Sequence, residues 1–496
     1  MTKKKKKNNT FFKIVSYLLL FTAILSTIFL IYFEVLPVSY LSIIIIGGGL
    51  LIFLLFKLLN NKRLKKWIKI IVSIPSIILI ILFTLVCFYS YGTIDFFNNI
   101  FDSGIRHDSY SVYVLKDSKY EKIDDLSDKI ISVSNKDDEE TKKAIDKLSN
   151  KIEFNMSEYE NVGESLDSVI NEESDAVLAL DSNVDVIKED NSEYNNLKKI
   201  YTFNVTSKVK TLKSDVDVSK DNFVFYISGI DTNGKVATKA RSDVNILVAV
   251  NPKDKKILMI NTPRDYYVKL HSKKAMDKLT HAGVYGIEES VGTLEDLYDV
   301  KINYYARVNF TTFINIVDKL DGITVDVPVN FCEQTSSRTS SAQICLKKGR
   351  QKLNGEQALA LSRTRHTLAG GDRDRGNNQM LVLESIIDKA ISPSIIVKYN
   401  SLLSSVSDSV ITNVDQKAIT KLIKKQIKDN SNWDIESYSV NGTDSSNVTY
   451  STGRSKAYVM NPNVETVNEA KIKLDNILET KKYTSTTTST TTTKAN

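Results

Sequence analysis

The chain has 496 residues, 42% of them apolar and 25% charged, with 66 lysines and arginines against 59 acidic residues for a net charge of +7. That length accommodates two or three domains, and so mild and unevenly spread a charge does not point to nucleic acid. Four histidines and three cysteines, with no CxxC or Cys/His spacing, offer no zinc site.

Read in chain order, residues 1–97 form a membrane anchor. Three apolar runs, Phe11–Phe33, Val38–Phe56 and Ile68–Tyr91, each approach the roughly 20 residues needed to span a bilayer. A cleavable signal would be one short apolar run with a small-residue site, which this is not. Lys3–Lys7 precede the first run, the link around Glu34 and Pro37 has no basic residue, and the next link holds Lys57, Lys62, Arg63, Lys65, Lys66 and Lys69. The positive-inside rule therefore predicts a multi-pass cell-membrane protein with a cytoplasmic N-terminus and everything after Tyr91 outside.

Asn98–Ser109 reads as a short linker opening an accessory α/β unit over 98–205. Strands are expected at Ser111–Leu115, Lys129–Ser134, Lys151–Asn155 and Ala176–Leu180, and helices at Glu139–Leu148 and Ser165–Glu172. The order of "DDLSDKIISVSN" followed by "SDAVLALD" resembles one lobe of an extracellular solute-binding domain. With no arginine between Arg106 and Arg241 and no clustered tryptophans, a spacer or partner-binding role is expected there rather than chemistry.

Residues 206–221 are polar and read as a linker to a second α/β domain over 222–480. Strands are expected at Phe223–Ser228, Val244–Val250, Lys256–Ile260 and Gly322–Val327, and helices at Glu288–Leu297, Thr312–Leu320, Gly355–Ser362, Gln379–Ala390 and Lys417–Lys428. Asn354 is a good N-cap for the third of these helices. Cys332 and Cys345 flank a polar loop in a compartment where a disulfide can persist, and two unpaired thiols are the alternative. The Ser/Thr run over 481–496 has a disordered composition.

Arginine carries the chemical signal. Only twelve of the basic residues are arginine, and nine of the twelve fall between Arg241 and Arg375. Its planar fork grips phosphate or carboxylate oxygens two at a time, which lysine cannot do. Asp231, Asp243, Asp372 and Asp374 are interleaved with these arginines, a mixture that suits a metal-bridged phosphate. The cluster falls at strand and helix ends, where α/β sheets gather ligands, and its last group lies near a helix N-terminus, which also favours anions. Structural roles compete at several positions. Asp265 suits a turn or salt bridge with Arg264, Arg307 a structural or surface site, Arg338 and Arg350 solvated loops, and Arg373 neutralisation of its two aspartate neighbours.

At these residues the sequence resembles the LytR-CpsA-Psr family of bacterial cell-envelope phosphotransferases. The resemblance rests on "GID" at 229–231, "RSDVNILVAVNP" at 241–252, "INTPRDYYV" at 260–268, "KLTHAGVYG" at 278–286, "VNFTTFINIVDKLDGITVDVP" at 308–328, "LNGEQALALSRTRH" at 353–366 and "GGDRDRGNNQ" at 370–379. Three spans followed by an extra outer domain are similar to the streptococcal capsule-type members.

The resemblance implies an α/β/α sandwich with an apolar channel for a polyprenyl chain. It implies transfer of a glycopolymer, of capsular polysaccharide or teichoic acid type, from polyprenyl pyrophosphate to peptidoglycan through a phosphodiester. By motif position Asp231 and Asp243 would hold Mg²⁺, or Mn²⁺ in its place. Arg241, Arg264, Arg363, Arg365 and Arg375 would contact the pyrophosphate with Gln379 close by, and Arg241, Arg363, Arg365 and Asp372 would act in catalysis. The general base is left open, with Asp372 as a candidate. Many members read nearer to GDFGR and then RQ where this chain has Gly371-Asp372-Arg373-Asp374-Arg375 and then Gly376-Asn377-Asn378-Gln379, so the arginine before the glutamine is missing and Arg373 takes no role. A polyprenyl-pyrophosphate hydrolase and a non-enzymatic lipid-binding regulator are the competing readings. A DNA-binding regulator is disfavoured because the arginines lie outside the cell.

Overall fold

The computed structural model describes residues 2–32, 38–101, 105–208, 214–232, 236, 239–337, 343–365, 372–392, 410–429, 431–453 and 456–480. The chain divides into two compact units. The first comprises residues 1–99 with 393–407 and 415–431, and the second comprises 100–392 with 408–414 and 432–496.

In the first unit α1 (Thr2–Tyr32) is followed by α2 (Val38–Ile43), a π-helical turn at Ile44–Gly48, α3 (Gly49–Asn60) and α4 (Lys66–Phe101). Three stretches, Thr10–Tyr32, Leu41–Asn60 and Lys66–Phe88, are long and apolar enough to cross a membrane, with mean hydropathies of 2.5, 2.5 and 2.9. Large apolar side chains such as Phe21, Phe53 and Ile78 are exposed along them, which a lipid environment makes favourable and water does not. A small contact set holds α1 to α3, where Asn60 Nδ2 donates to Ser16 Oγ at 2.8 Å. The lysine-rich helix Gln416–Asp429 also belongs to this unit.

The second unit begins with a five-stranded sheet. Its elements are β1 (Ile105–Leu115), β2 (Ile130–Ser134), α5 (Glu139–Ser149), β3 (Asn155–Tyr159), α6 (Val162–Ile170), β4 (Ala176–Leu180), α7 (Asp181–Asp190) and β5 (Leu197–Lys208), with strand order β3-β2-β4-β1-β5. Both faces are packed. Ala176, Leu178 and Leu180 enter one core with Val112, Ile131 and Leu148, while Val177 and Ala179 enter another with Tyr113, Leu166 and Val184, as the two-residue period of a strand requires.

Three expectations for this region need correction. The linker expected at Asn98–Ser109 is largely occupied by the end of α4 and the start of β1. The strand expected at Lys151–Asn155 lies at Asn155–Tyr159, an edge strand with mostly exposed side chains whose pairing with β2 begins at Asn155 opposite Ile130. Its polar residues gave no apolar alternation, whereas Ile152 before it is buried for core packing without pairing. β5 also runs to Lys208, past the expected domain edge, because it pairs with β1 from Leu197 to its end.

The remainder is built on a six-stranded mixed sheet. Its elements are β6 (Phe223–Ile230), β7 (Val244–Asn251), β8 (Lys256–Asn261), the small hairpin β9 (Tyr267–Lys269) and β10 (Met276–Lys278), α8 (Leu279–Ala282), α9 (Ile287–Tyr298), β11 (Tyr304–Asn309) and α10 (Phe310–Lys319). After β12 (Ile323–Val327), β13 (Phe331–Gln334), β14 (Gln343–Leu346) and β15 (Gly349–Leu353) come α11 (Gly355–Arg363), α12 (Asp372–Ile391), β16 (Val410–Thr412), β17 (Asp434–Ser439), β18 (Gly442–Val448), β19 (Lys456–Pro462) and the final helix Val464–Leu478. Asn354 caps α11 by accepting from Gln357 N, with the reciprocal Gln357 bond completing a capping box.

The sheet order is β16-β11-β6-β7-β8-β17. One face is sealed by α9 and the final helix, burying Val224, Tyr226, Leu247, Ala249 and Ile260 against Val291, Leu294, Ala470 and Leu474. The opposite face meets a layer of α10, α11, α12 and the β12–β15 strands, which has its own core around Val317, Val325, Phe331, Leu361 and Val382. The arrangement is the expected α/β/α sandwich. Cys332 and Cys345 sit opposite each other on β13 and β14 and form a disulfide, closing the alternative of two free thiols.

Candidate active site

Between the sheet and the α10–α12 layer lies a cavity of about 600 Å³. Strand alternation supplies its floor. Phe225, Ile227 and Gly229 of β6, Val244 and Ile246 of β7, and Ala306 and Val308 of β11 face it, while their alternate neighbours face the sealed core. Phe310, Phe313 and Ile316 of α10, Leu359 of α11, and Leu383 and Ile386 of α12 form the roof.

Each element runs from apolar to charged in the same sense. β6 proceeds from Phe225 through Ile227 and Gly229 to Asp231, about 20 Å at strand rise. β7 is antiparallel to it, with Val244 opposite Gly229, so Arg241 and Asp243 arrive at the same end. α12 presents Arg375, Gln379, Leu383 and Ile386 to the cavity, a spacing of four, four and three that marks one helix face. Arg363 and Arg365 leave α11, and Arg264 follows β8. Asp231, Arg241, Asp243, Arg264, Arg363, Arg365, Arg375 and Gln379 thus all line one cavity, although the sequence spreads them over almost 150 residues. Asp372 opens α12, but its side chain and that of Arg373 lie outside the described residues, as do Arg338 and the tail 481–496.

Polar contacts fix several of these groups. Arg264 Nη1 donates to Asp243 Oδ1 at 2.8 Å and its Nε to Asp265 Oδ2 at 3.3 Å. Lys278 Nζ stands 3.9 Å from the other Asp265 oxygen, so Asp265 has the salt-bridge role. The Arg363 guanidinium lies 4.9 Å over the Phe310 ring and donates to the carbonyls of Gln334 and Thr335, contacts that limit its movement. Gln379 Nε2 donates to Ser362 O at 3.2 Å, tying α12 to α11. Gly376 lets α12 come close to the end of β8, since a Cβ there would clash with Asn261 Nδ2. Asn378, immediately before Gln379, is buried with no hydrogen-bond partner for its Nδ2 among the described residues.

Beneath the floor, Arg307 is fully buried and donates to Ser242 Oγ at 3.0 Å, Ser228 Oγ at 3.3 Å and Gly283 O at 3.4 Å. Ser242 lies between Arg241 and Asp243, so anchoring it downward leaves its two neighbours on the cavity side. The structural role expected of Arg307 is therefore met. Arg350 is exposed, as expected, but stands on β15 opposite Asp326 of β12 rather than in a loop. Glu333 and Gln334 at the cavity wall were not foreseen. Their signal was the adjacent Cys332, whose disulfide fixes the hairpin they stand on.

A profile of the LytR_cpsA_psr family matches residues 188–472, and the chain belongs to that family. It is 38% identical over 213 residues to the polyisoprenyl-teichoic acid–peptidoglycan teichoic acid transferase TagT of Bacillus subtilis, covering 42% of this chain and 65% of TagT. It is 35% identical over 202 residues to the similarly described transferase TagV of Bacillus subtilis, covering 40% of this chain and 51% of TagV. The match therefore spans between about half and two thirds of these relatives. The crystal structure of B. subtilis TagV superposes with a TM-score of 0.44 and 29% identity, covering 52% of this chain and 98% of that one.

Proposed function

We propose that this chain transfers a cell-envelope glycopolymer, of teichoic acid or capsular polysaccharide type, from a polyprenyl-pyrophosphate carrier to peptidoglycan, forming a phosphodiester outside the membrane. One observation carries the reading. A single cavity has an apolar floor and roof and a charged end with five arginines and two aspartates, its polar lining completed by Glu333, Gln334 and Gln379, which matches a ligand with a long apolar tail and a dianionic head. Family membership and the transferase names of its relatives support it.

In this reading the apolar walls take the polyprenyl chain, and Arg241, Arg264, Arg363, Arg365 and Arg375 grip the pyrophosphate oxygens. An acceptor hydroxyl attacks the glycopolymer-linked phosphorus. A new P–O bond forms, the bond to the bridging oxygen breaks, the hydroxyl proton is released, and polyprenyl phosphate leaves. Charge building on the phosphoryl oxygens is met by preorganised guanidinium groups. Two carboxylates at the charged end suit Mg²⁺, which takes one or two protein carboxylates and completes its shell with phosphate and water oxygens. Asp231 and Asp243 would hold it, and it would supply further neutralisation of the pyrophosphate. The site faces outward in this reading, supported by the lysines flanking the spans and by a disulfide, which persists in oxidising compartments.

The test uses the full chain in nanodiscs with a synthetic polyprenyl-pyrophosphate glycan, peptidoglycan fragments and Mg²⁺, with products read by mass spectrometry. A coupled phosphodiester product is expected, and Arg365→Ala should lower its rate roughly 10²–10³-fold. Release of free glycan phosphate with no coupled product would favour the hydrolase, and lipid retention without turnover the binding protein.

A further inference from the structure

A second cavity, of about 130 Å³, lies between the five-stranded sheet and the catalytic layer. By a measure in which one water needs roughly 10–15 Å³, it has room for a ligand of about ten heavy atoms or fewer. On one side it is bounded by the carboxyl ends of the parallel strands β2 and β4 and by the first residues of α5, the edge where open α/β sheets take ligands. On the other side stand Lys239, Lys273 and Tyr285.

The two walls are held in place. A Cβ on Gly163 would come within 2.6 Å of the Thr452 carbonyl carbon, so the domains touch backbone to backbone. Tyr450 OH donates to Asn135 Oδ1 at 3.1 Å. Lys239, its side chain 8% exposed, stands 3.8 Å from Asp108 and 3.9 Å from Glu140.

The lining is polar, and its chemistry is bipolar. Asp138 Oδ2 accepts long bonds from Thr141 N at 3.4 Å and Thr141 Oγ1 at 3.3 Å, and its carboxyl also interacts with the Glu140 side chain and the charges of Lys239 and Lys273. Asn183 lines the same space with its Oδ1 buried and, among the described residues, without a hydrogen-bond partner, an unfavourable state unless a donor arrives. Opposite these acceptors, Lys273 lies 5.2 Å over the Tyr285 ring and carries the complementary charge. We propose that this interdomain cavity binds a small zwitterion of amino-acid size, with its ammonium group on Asp138 and Asn183 Oδ1 and its carboxylate on Lys273. The occupant is independent of the transfer reaction, although Lys239 is two residues from Arg241 and the two sites therefore share one segment of backbone.

Binding can be read without any turnover. The full chain in nanodiscs is titrated with glycine, serine and both enantiomers of alanine by ligand-observed NMR, with propionate and ethylamine as the two half-ligands. Saturable binding of at least one amino acid is expected, weakened at least about tenfold when either charged group is missing. Asn183→Leu, which removes the buried acceptor, and Asp138→Asn, which keeps the α5 cap, should each weaken it by a similar factor in chains whose thermal unfolding matches the parent. The proposal is overturned if no amino acid binds saturably, if propionate or ethylamine binds equally well, or if binding survives in a folded Asn183→Leu chain.

Discussion

The two sheets of the second unit treat their faces differently. In the five-stranded sheet both faces are sealed, and every residue of β4 from Ala176 to Leu180 is buried. In the six-stranded sheet β7 and β8 are also buried on both faces, but at β6 and β11 only one face is sealed. Tyr226, Ser228, Tyr305 and Arg307 are buried, whereas Phe225, Ile227, Ala306 and Val308 are half-buried around the cavity. Strand composition does not make the difference, since both faces of "FVFYISGI" and "VNILVAVN" are largely apolar. What matters is the covering layer. Helices α9 and Val464–Leu478 pack on one face, while α10–α12 spend their own apolar side chains on the β12–β15 strands and stand off the other. A sheet becomes a core or a channel according to what its partner layer has left to bury.

Paired truncations on the two faces test this most severely. Leu247→Ala, on the sealed face, should cost about 2–5 kcal/mol because it opens a new cavity. Ile227→Ala, on the channel face, should cost only about 1 kcal/mol, since it widens a space already present, while weakening retention of a polyprenyl ligand. Thermal and denaturant unfolding of the detergent-solubilised chain measures the first contrast, and equal costs would mean that the channel face is a packed core.

Replacing both Cys332 and Cys345 by serine removes a link between residues 13 apart in sequence and should cost about 2–3 kcal/mol. Because α11 packs on this hairpin and Arg363 donates to Gln334 and Thr335, the rate of any transfer should fall together with stability.

Arg307→Met leaves the Ser228–Ser242 hydroxyl pair, 2.8 Å apart, but removes the guanidinium that ties both to Gly283. A loss of about 1–3 kcal/mol is expected, with turnover falling further than stability alone explains because Arg241 and Asp243 flank the freed serine. An unchanged rate in the folded variant would remove the positioning role.

The smallest effect belongs to the doubly sealed sheet. Burial by itself would raise the Asp181 carboxyl, but bonds from Ser111, Tyr113, Ser109 and Lys199 outweigh it and hold the group below the usual carboxylate range. A depressed folded value stabilises above the unfolded pKa of about 3.9 and loses that contribution as pH falls through the folded value. Asp181→Asn should therefore be less stable than the parent at neutral pH, with the gap closing in acid, as unfolding midpoints measured across pH would show.

Much of this was legible beforehand. Apolar run length marked the three spans, and strand and helix periods placed β6–β8 and α9–α11 to within a few residues. Arginine concentrated in a lysine-rich chain marked five of the residues that line the cavity, because guanidinium chemistry is local to the residue that carries it. The strand β3 was not legible, since its edge position lets polar residues occupy it, nor was α7, whose ten residues mix charge and valine without a clear stripe.

The sequence by itself determined which residues could touch a phosphate and which segments could span a membrane, both properties of single side chains or short runs. Only the tertiary structure decided that Asp231, Arg264 and Arg375 share one end of one cavity, that of the two aspartates bonded to Arg264 it is Asp243 and not Asp265 that lines that cavity, and that Arg307 works from the sealed side of the sheet. Those outcomes depend on which face of each strand is covered and by what, and such information lies in the contacts between elements distant in the chain.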